Sequence, residues 1–302
     1  MIRILEILFG ILVYPGFIFS LVIGGTFYWL YRKVRARLQA RRGPPWYQFF
    51  VDLIKLFSKE SNISYSARSL LMVLSPILAI MSLLLVAIML PIGQLIGFEG
   101  DLIVALYLLV LPGLALVIAG GSSGSPYGSV GSSREASLMA GYELPYALAA
   151  LTVAFYVKSL SLSSIMQYQM ENGVFFLKFP LATIAFLLCL LPKMGLRPFD
   201  APEAETEIIA GPLTEYSGIL LGLFEMANGI KWFVIPAFAV TLFFGGGSNI
   251  IEFVLKCLGI VLVLSLIDII HPRFRIDQSF KFFIKWVLPL ALIDFIRSLV
   301  WV

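Results

Sequence analysis

Long apolar runs broken by short polar stretches recur along the whole chain. Taking about 20 mostly apolar residues as the length that crosses a bilayer, eight spanning helices are predicted. They cover roughly residues 8–31, 70–97, 102–119, 138–158, 174–192, 218–244, 250–270 and 282–302. The first predicted loop carries a different pattern. Trp46, Phe49, Phe50, Leu53, Ile54 and Phe57 recur at helical spacing, with Gln48, Asp52, Lys55 and Lys59 opposite. That spacing predicts an amphipathic helix, lying either in the membrane interface or beneath a partner domain. The expected fold class is therefore all-α: one polytopic transmembrane domain over 1–302 with a single amphipathic surface helix.

Composition agrees. The 302 residues are 60% hydrophobic and 13% charged, against roughly 45–50% and about 25% in soluble domains. The net charge of +4 does not point to nucleic acid, because the basic residues concentrate in one membrane-flanking loop. Lys and Arg crowd the loops after the first, third, fifth and seventh spans, while the opposite side holds little beyond Arg3 and Lys158. The positive-inside rule then puts the loops at about 32–69, 120–137, 193–217 and 271–281 in the cytoplasm, and both termini outside. The N-terminus lacks a small-residue cleavage site, carries Glu6 early and reads as a retained first helix. Cys189 and Cys257 fall in apolar runs, and the lone His271 cannot make a metal site by itself. No cofactor motif stands out.

The loop Lys193–Gly218 holds five carboxylates, Asp200, Glu203, Glu205, Glu207 and Glu215, between two spans. Asp200 and Glu203 fit a capping box for a short helix from about 201 to 210. Glu203 and Glu207 fall at i,i+4, where like charges repel unless protonated, solvated or matched by a cation. Lys193 and Arg197 are the cations at hand. The Gly-Ser-rich loop Gly120–Ser137, with Arg134 and Glu135 its only charges, reads as a flexible linker or a place of close backbone approach.

Charges within spans cost at least ~2.5–3.5 kcal/mol even on lenient insertion scales. Glu143 and Glu225 sit on the half of the membrane facing the acidic loop and have no obvious partner within their own helices. Desolvation moves a carboxyl towards neutrality, as a proton carrier requires. Glu252, Lys256, Lys285 and Arg297 read as interhelical or snorkelling groups, with Glu252 and Lys256 paired at i,i+4. A series of carboxylates leading from the loop to Glu225 and Glu143 is a candidate proton path.

The blocks R-P-F-D-A-P-E-A-E-T-E…T-E-Y-S-G (Arg197 to Gly218), R-K-V-R-A-R-L-Q-A-R-R-G-P (Arg32 to Pro44) with D-L-I-K-L-F-S-K-E (Asp52 to Glu60), T-L-F-F-G-G-G (Thr241 to Gly247) and P-R-F-R-I-D-Q…W-V-L-P-L (Pro272 to Leu290) closely resemble the membrane subunit that links the two arms of respiratory complex I. They span nearly the full chain in order. G-P-P-W-Y-Q (Gly43 to Gln48) and S-P-Y-G-S-V-G-S-S-R-E-A-S-L-M-A-G-Y-E-L-P (Ser125 to Pro145) look like the branch that anchors energy-converting nickel–iron hydrogenases and related sulfur-reducing complexes.

The resemblance implies a non-catalytic subunit in the cell membrane of a prokaryote, with no cofactor of its own. Iron–sulfur clusters and a nickel–iron centre are expected in soluble partners seated on the cytoplasmic loops and fed by ferredoxin. Antiporter-like subunits are expected beside it in the bilayer, exporting protons or sodium ions. Carried over by position, Glu143, Glu203 and Glu215 belong to a carboxylate route. Glu205, Glu207 and Glu225 are candidate additions, Lys193, Arg197 and Asp200 tune the loop, and Arg134, Asp52 and Lys55 take part in docking. Departures exist: quinone-reducing relatives place a Glu where Asn228 stands, and the carboxylate they carry in the fifth span is missing. The same role in a quinone-reducing complex or a sulfane-sulfur reductase, a purely structural anchor, and a stand-alone transporter are the alternatives.

Overall fold

A computed structural model describes residues 8–65, 67–93 and 95–300, with the side chains of Glu205 and Thr206 outside the description. Arg3 and Glu6 lie outside the described residues. The described residues are helical with no strand among them. Six helices have the length and hydropathy of a bilayer crossing: Leu8–Leu38, Ser69–Met89, Asp101–Ser122, Pro126–Val157, Gly218–Phe243 and Ile250–Ile270. The fifth and eighth predicted spans are built differently.

In chain order, α1 is Phe17–Leu38 and α2 is the predicted amphipathic helix, Gln48–Phe57. Helix α2 turns Phe49 and Leu53 inward and leaves Ile54 exposed, while Trp46, predicted as part of it, lies exposed in the turn before its start. Helix α3 is Ser69–Met89. The third span bends at Leu109–Val110, just before Pro112, into α4 (Asp101–Leu108) and α5 (Leu111–Ser122); a proline inside the run removes an amide donor and breaks the ladder.

Helix α6 runs from Pro126 to Val157, about 48 Å at 1.5 Å per residue. The Gly-Ser stretch is thus mostly helix rather than linker. Its hydroxyls fold back onto the backbone (Ser129 to Pro126 O, Ser133 to Val130 O), and Gly128, Gly131 and Ser132 are buried. Small residues there allow the turn Gly211–Leu213 to pack closely against the helix. Glu143 consequently lies near the middle of its helix, not near its start.

The short helix α7 (Leu162–Asn172) precedes the fifth span, which is broken into α8 (Phe175–Lys178) and α9 (Pro180–Lys193). Pro180 holds Phe179 off helical geometry, and the buried Ala182 amide, which has no partner within the first turn of α9, is taken by Asp294 Oδ2 at 2.9 Å. Helix α10 is the single turn Glu205–Ile208. Helices α11 (Gly218–Phe243) and α12 (Ile250–Ile270) follow, and α11 is the most buried of the spans. Helix α13 (Ile276–Phe282) continues through a wide turn, Phe283–Val287, into α14 (Leu288–Val300). In that turn the Leu288 N–H reaches back to Phe283 O, immediately ahead of Pro289, which has no amide to offer.

Candidate functional site

The acidic loop is held at its base by three neighbours. Arg197 N–H donates to Asp268 Oδ1 at 3.0 Å, and Phe274 N–H donates to Pro198 O at 2.9 Å. Arg273 grips both oxygens of Asp200, each at 2.6 Å, and Arg197 approaches the same carboxylate at 3.6 Å. Asp200 therefore does not cap a helix; no side-chain cap forms there, and residues 201–210 make only a three-residue turn, Ala201–Glu203, and α10. A bidentate Arg–carboxylate pair outweighs one N-cap bond, and this decides where the carboxylate points.

Asp268 is 2% exposed and joins the loop to α1, accepting from the Tyr31 hydroxyl at 3.1 Å with Arg35 at 3.7 Å. At the far end of the loop, the Tyr216 hydroxyl bonds Ser75 at 3.0 Å, and burial raises its pKa. The first loop closes over this end: Ser61 Oγ accepts the Ile219 N–H at 2.9 Å, at the start of α11.

Lys193 is buried at the end of α9, not set among the loop carboxylates. Its ammonium lies 2.6 Å from Glu143 Oε1 and 3.3 Å from Leu109 O. It also sits 4.3 Å from the Tyr146 ring centre. Arg134 turns inward to Glu207 Oε2 at 2.6 Å and to Ala201 O at 3.3 Å. The cations anticipated for Glu203 and Glu207 are thus distributed otherwise: Lys193 to Glu143, Arg197 to Asp200, Arg134 to Glu207. Glu252 and Lys256 pair at 2.8 Å as expected.

A cavity of about 860 Å³ opens between the loop, α1, α3 and α11. Its charged lining is Arg32, Arg35, Arg197, Lys231 and Arg273 against Asp200, Glu203 and Glu225, with Asn228 one turn beyond Glu225. A second cavity, of about 370 Å³, lies along α2 and is lined by Asp52, Lys55 and Glu225 among others. Asp52 also accepts from Gln48 at 2.7 Å and lies 4.0 Å from Arg32.

The structure thus gathers Asp200, Arg197, Glu203 and Glu225 around one chamber and sets Glu143 with Lys193 apart. Glu207 is half exposed and tied to Arg134, and Glu215 is half-buried and lines none of these cavities. The Glu205 side chain lies outside the described residues. Three partners escape sequence reasoning: Asp268, Arg273 and Arg35. Asp268 meets the same criterion that singles out Glu225, an acid within an apolar run.

Fold and site together define a polytopic helical membrane protein with a charge-lined chamber under an acidic loop. A family model described as NADH dehydrogenase matches residues 11–299, and the chain belongs to that family, whose members are membrane subunits of complex I and its relatives. A NADH-quinone oxidoreductase subunit of Geobacillus kaustophilus (strain HTA426) is 33% identical over 288 residues, covering 89% of this chain and 86% of its own. The corresponding NADH-quinone oxidoreductase subunit of Thermomicrobium roseum (strain ATCC 27502 / DSM 5159 / P-2) is 34% identical over 298 residues, covering 88% and 87%. Among solved structures, a chain of the membrane-bound sulfane sulfur reductase, an archaeal respiratory membrane complex, superposes with a TM-score of 0.87 at 30% identity, covering 93% of this chain and 96% of that one.

Proposed function

We propose that this chain is the non-catalytic membrane subunit of a ferredoxin-linked, energy-converting complex of the hydrogenase type. It seats a soluble redox module on its cytoplasmic loops and couples electron transfer to proton or sodium translocation. The iron–sulfur clusters and nickel–iron centre belong to the partners, an iron–sulfur subunit and a large subunit of hydrogenase type, with antiporter-like subunits alongside in the bilayer. The carrying observation is the chamber itself. Glu203 from the acidic loop and Glu225 from the spanning helix α11 share one cavity with Lys231. A shift of the loop therefore changes the field and hydration felt by a carboxylate in a spanning helix. Arg197 and Asp200, pinned by Asp268 and Arg273, fix where that loop rests.

The test is ion transport per electron in proteoliposomes holding the intact complex. Replacement of Glu143 or Glu203 by Gln lowers that ratio about tenfold. An undiminished ratio in both variants makes the chain a structural anchor instead. Metal content tests the branch: nickel with iron–sulfur centres and no quinone supports it, and a tightly bound quinone at the chamber overturns it.

A sulfane-sulfur-reducing complex is the second reading, favoured by the near full-length superposition on the archaeal reductase chain. Iron–sulfur centres without nickel, together with reduction of sulfane sulfur, select it.

A further inference from the structure

We infer that Glu135 is a proton-holding station joining the loop chamber to the Glu143–Lys193 pair; the inference rests on the coupling role proposed above. Glu135 lies on α6 and is 7% exposed. Among the described residues its carboxylate takes no hydrogen bond and no ion pair within 4 Å. It faces instead into a small cavity of about 40 Å³ whose other polar lining includes Glu203, Lys193, Lys231 and Tyr142. One water needs roughly 10–15 Å³ of such space, so the cavity has room for at least one.

Two walls of this small cavity are shared. Asp200, Glu203 and Lys231 line both it and the 860 Å³ chamber, and Lys193 lines it while holding Glu143 at 2.6 Å. Glu135 and Glu143 stand two turns apart on α6, about 12 Å along the axis. Proton transfer needs hydrogen-bond reach, about 2.6–3.2 Å or one intervening water. A direct hop between the two glutamates is therefore excluded, and the space between must be bridged by the cavity and by Lys193. Space for the Glu135 side chain comes from Gly113 on α5, where a Cβ would lie 3.3 Å from Glu135 Oε1 and 2.9 Å from Met139 Sδ.

The step is a proton relay with no change of oxidation state. The O–H bond of protonated Glu203 breaks, and one forms on Glu135 through cavity water. In the second transfer the Lys193 ammonium gives a proton to Glu143, 2.6 Å away, while the Glu135 O–H bond breaks and its proton restores the ammonium through the cavity they both line. The charged groups around Glu135 are Glu203, Lys231, Lys193 and Glu143, with Asp200, held by Arg273, on the same cavity wall. The two ammonium groups offset the negative charge that passes between the three carboxylates. Protonation of Glu143 removes the charge opposite Lys193, whose ammonium keeps its contacts with Leu109 O and the Tyr146 ring.

The test uses the intact complex in proteoliposomes, comparing Glu135→Gln, Glu135→Asp and Glu143→Gln for ions moved per electron. The expected result is a loss of about tenfold for Glu135→Gln and at least one-third retention for Glu135→Asp, which keeps an ionisable group. A parental ratio in Glu135→Gln together with a lowered ratio in Glu143→Gln overturns the role of Glu135 alone. Parental ratios in both overturn the coupling reading beneath it. Should Glu135→Gln fail to assemble, infrared difference spectra recorded on redox turnover decide with Glu135→Asp. A displaced protonated-carboxyl band supports the station, and an unchanged spectrum sinks it.

Discussion

Lys193 Nζ lies 2.6 Å from Glu143 Oε1, and the pair joins α9 to α6 across 50 residues of sequence. The lysine side chain is 3% exposed and the glutamate 22%, so removal of either partner strands the other in a poorly hydrated place. Breaking a buried pair costs about 3–5 kcal/mol, lessened on the glutamate side by its partial exposure. Lys193→Met and Glu143→Gln are each expected to lower the unfolding midpoint in detergent. The double variant should be less destabilised than the sum, with a coupling of about 1–3 kcal/mol in a double-mutant cycle. Additive effects would mean that the contact carries no net interaction.

Asp200 and Arg273 fix the acidic loop through two bonds of 2.6 Å. Hydrogen bonds to charged groups contribute about 1.5–3 kcal/mol, and only the forked guanidinium matches both carboxylate oxygens. Asp200→Asn and Arg273→Lys should therefore both raise amide hydrogen exchange across residues 194–217, by roughly tenfold or more. An Arg273→Lys variant that exchanges like the parent would show that charge alone suffices.

The apolar runs make the spans legible, because a bilayer demands length and hydropathy that nothing else in a sequence imitates. What escapes is decided by contacts between distant residues. Gly and Ser between Gly120 and Ser137 read either as a linker or as a place of close backbone approach; the second holds, since most of this stretch is helical and Gly128, Gly131 and Ser132 pack inside the protein. Glu135, set in that apparent linker, does not stand out in the sequence as an intramembrane acid. Glu143 and Glu225 are visible as acids in apolar runs, but their surroundings are not. The Tyr31–Asp268 bond closes across 237 positions, and no local pattern announces such a partner. The capping-box reading of Asp200 fails for the same reason, since Arg273 lies 73 residues away.

Helix α1 crosses α11 at a point where a Cβ on Gly24 would fall 2.0 Å from Gly229 O. Spans that approach this closely depend on small residues for dispersion contact between backbones. Gly24→Ala must push α1 away from α11, and overpacking of this kind costs about 1–3 kcal/mol. The variant should show a lowered thermal midpoint in detergent. An unchanged midpoint would mean that the helices part without penalty.

Asp294 on α14 is fully buried, accepts the Ala182 N–H at 2.9 Å and lies 3.4 Å from Arg297 Nη1. It thus caps a helix in another span, at the point where Phe179 and Pro180 break the fifth. A lost N-cap costs about 0.5–2 kcal/mol, and because the amide it leaves without a partner is buried, the loss falls towards that of an unsatisfied buried donor, about 1–3 kcal/mol. Asp294→Ala should therefore be markedly less stable than the parent. Asp294→Asn keeps an acceptor oxygen for the Ala182 amide and gives up only the charge shared with Arg297, so it should fall between the two. The Arg297 Nη2 bond to Lys178 O at 2.8 Å lies on the other side of the break. Arg297→Ala should accordingly loosen α8 more than α9, a contrast that hydrogen exchange at Phe175–Lys178 against residues 182–185 would report. Equal loosening of both segments would deny Asp294 an independent hold on α9.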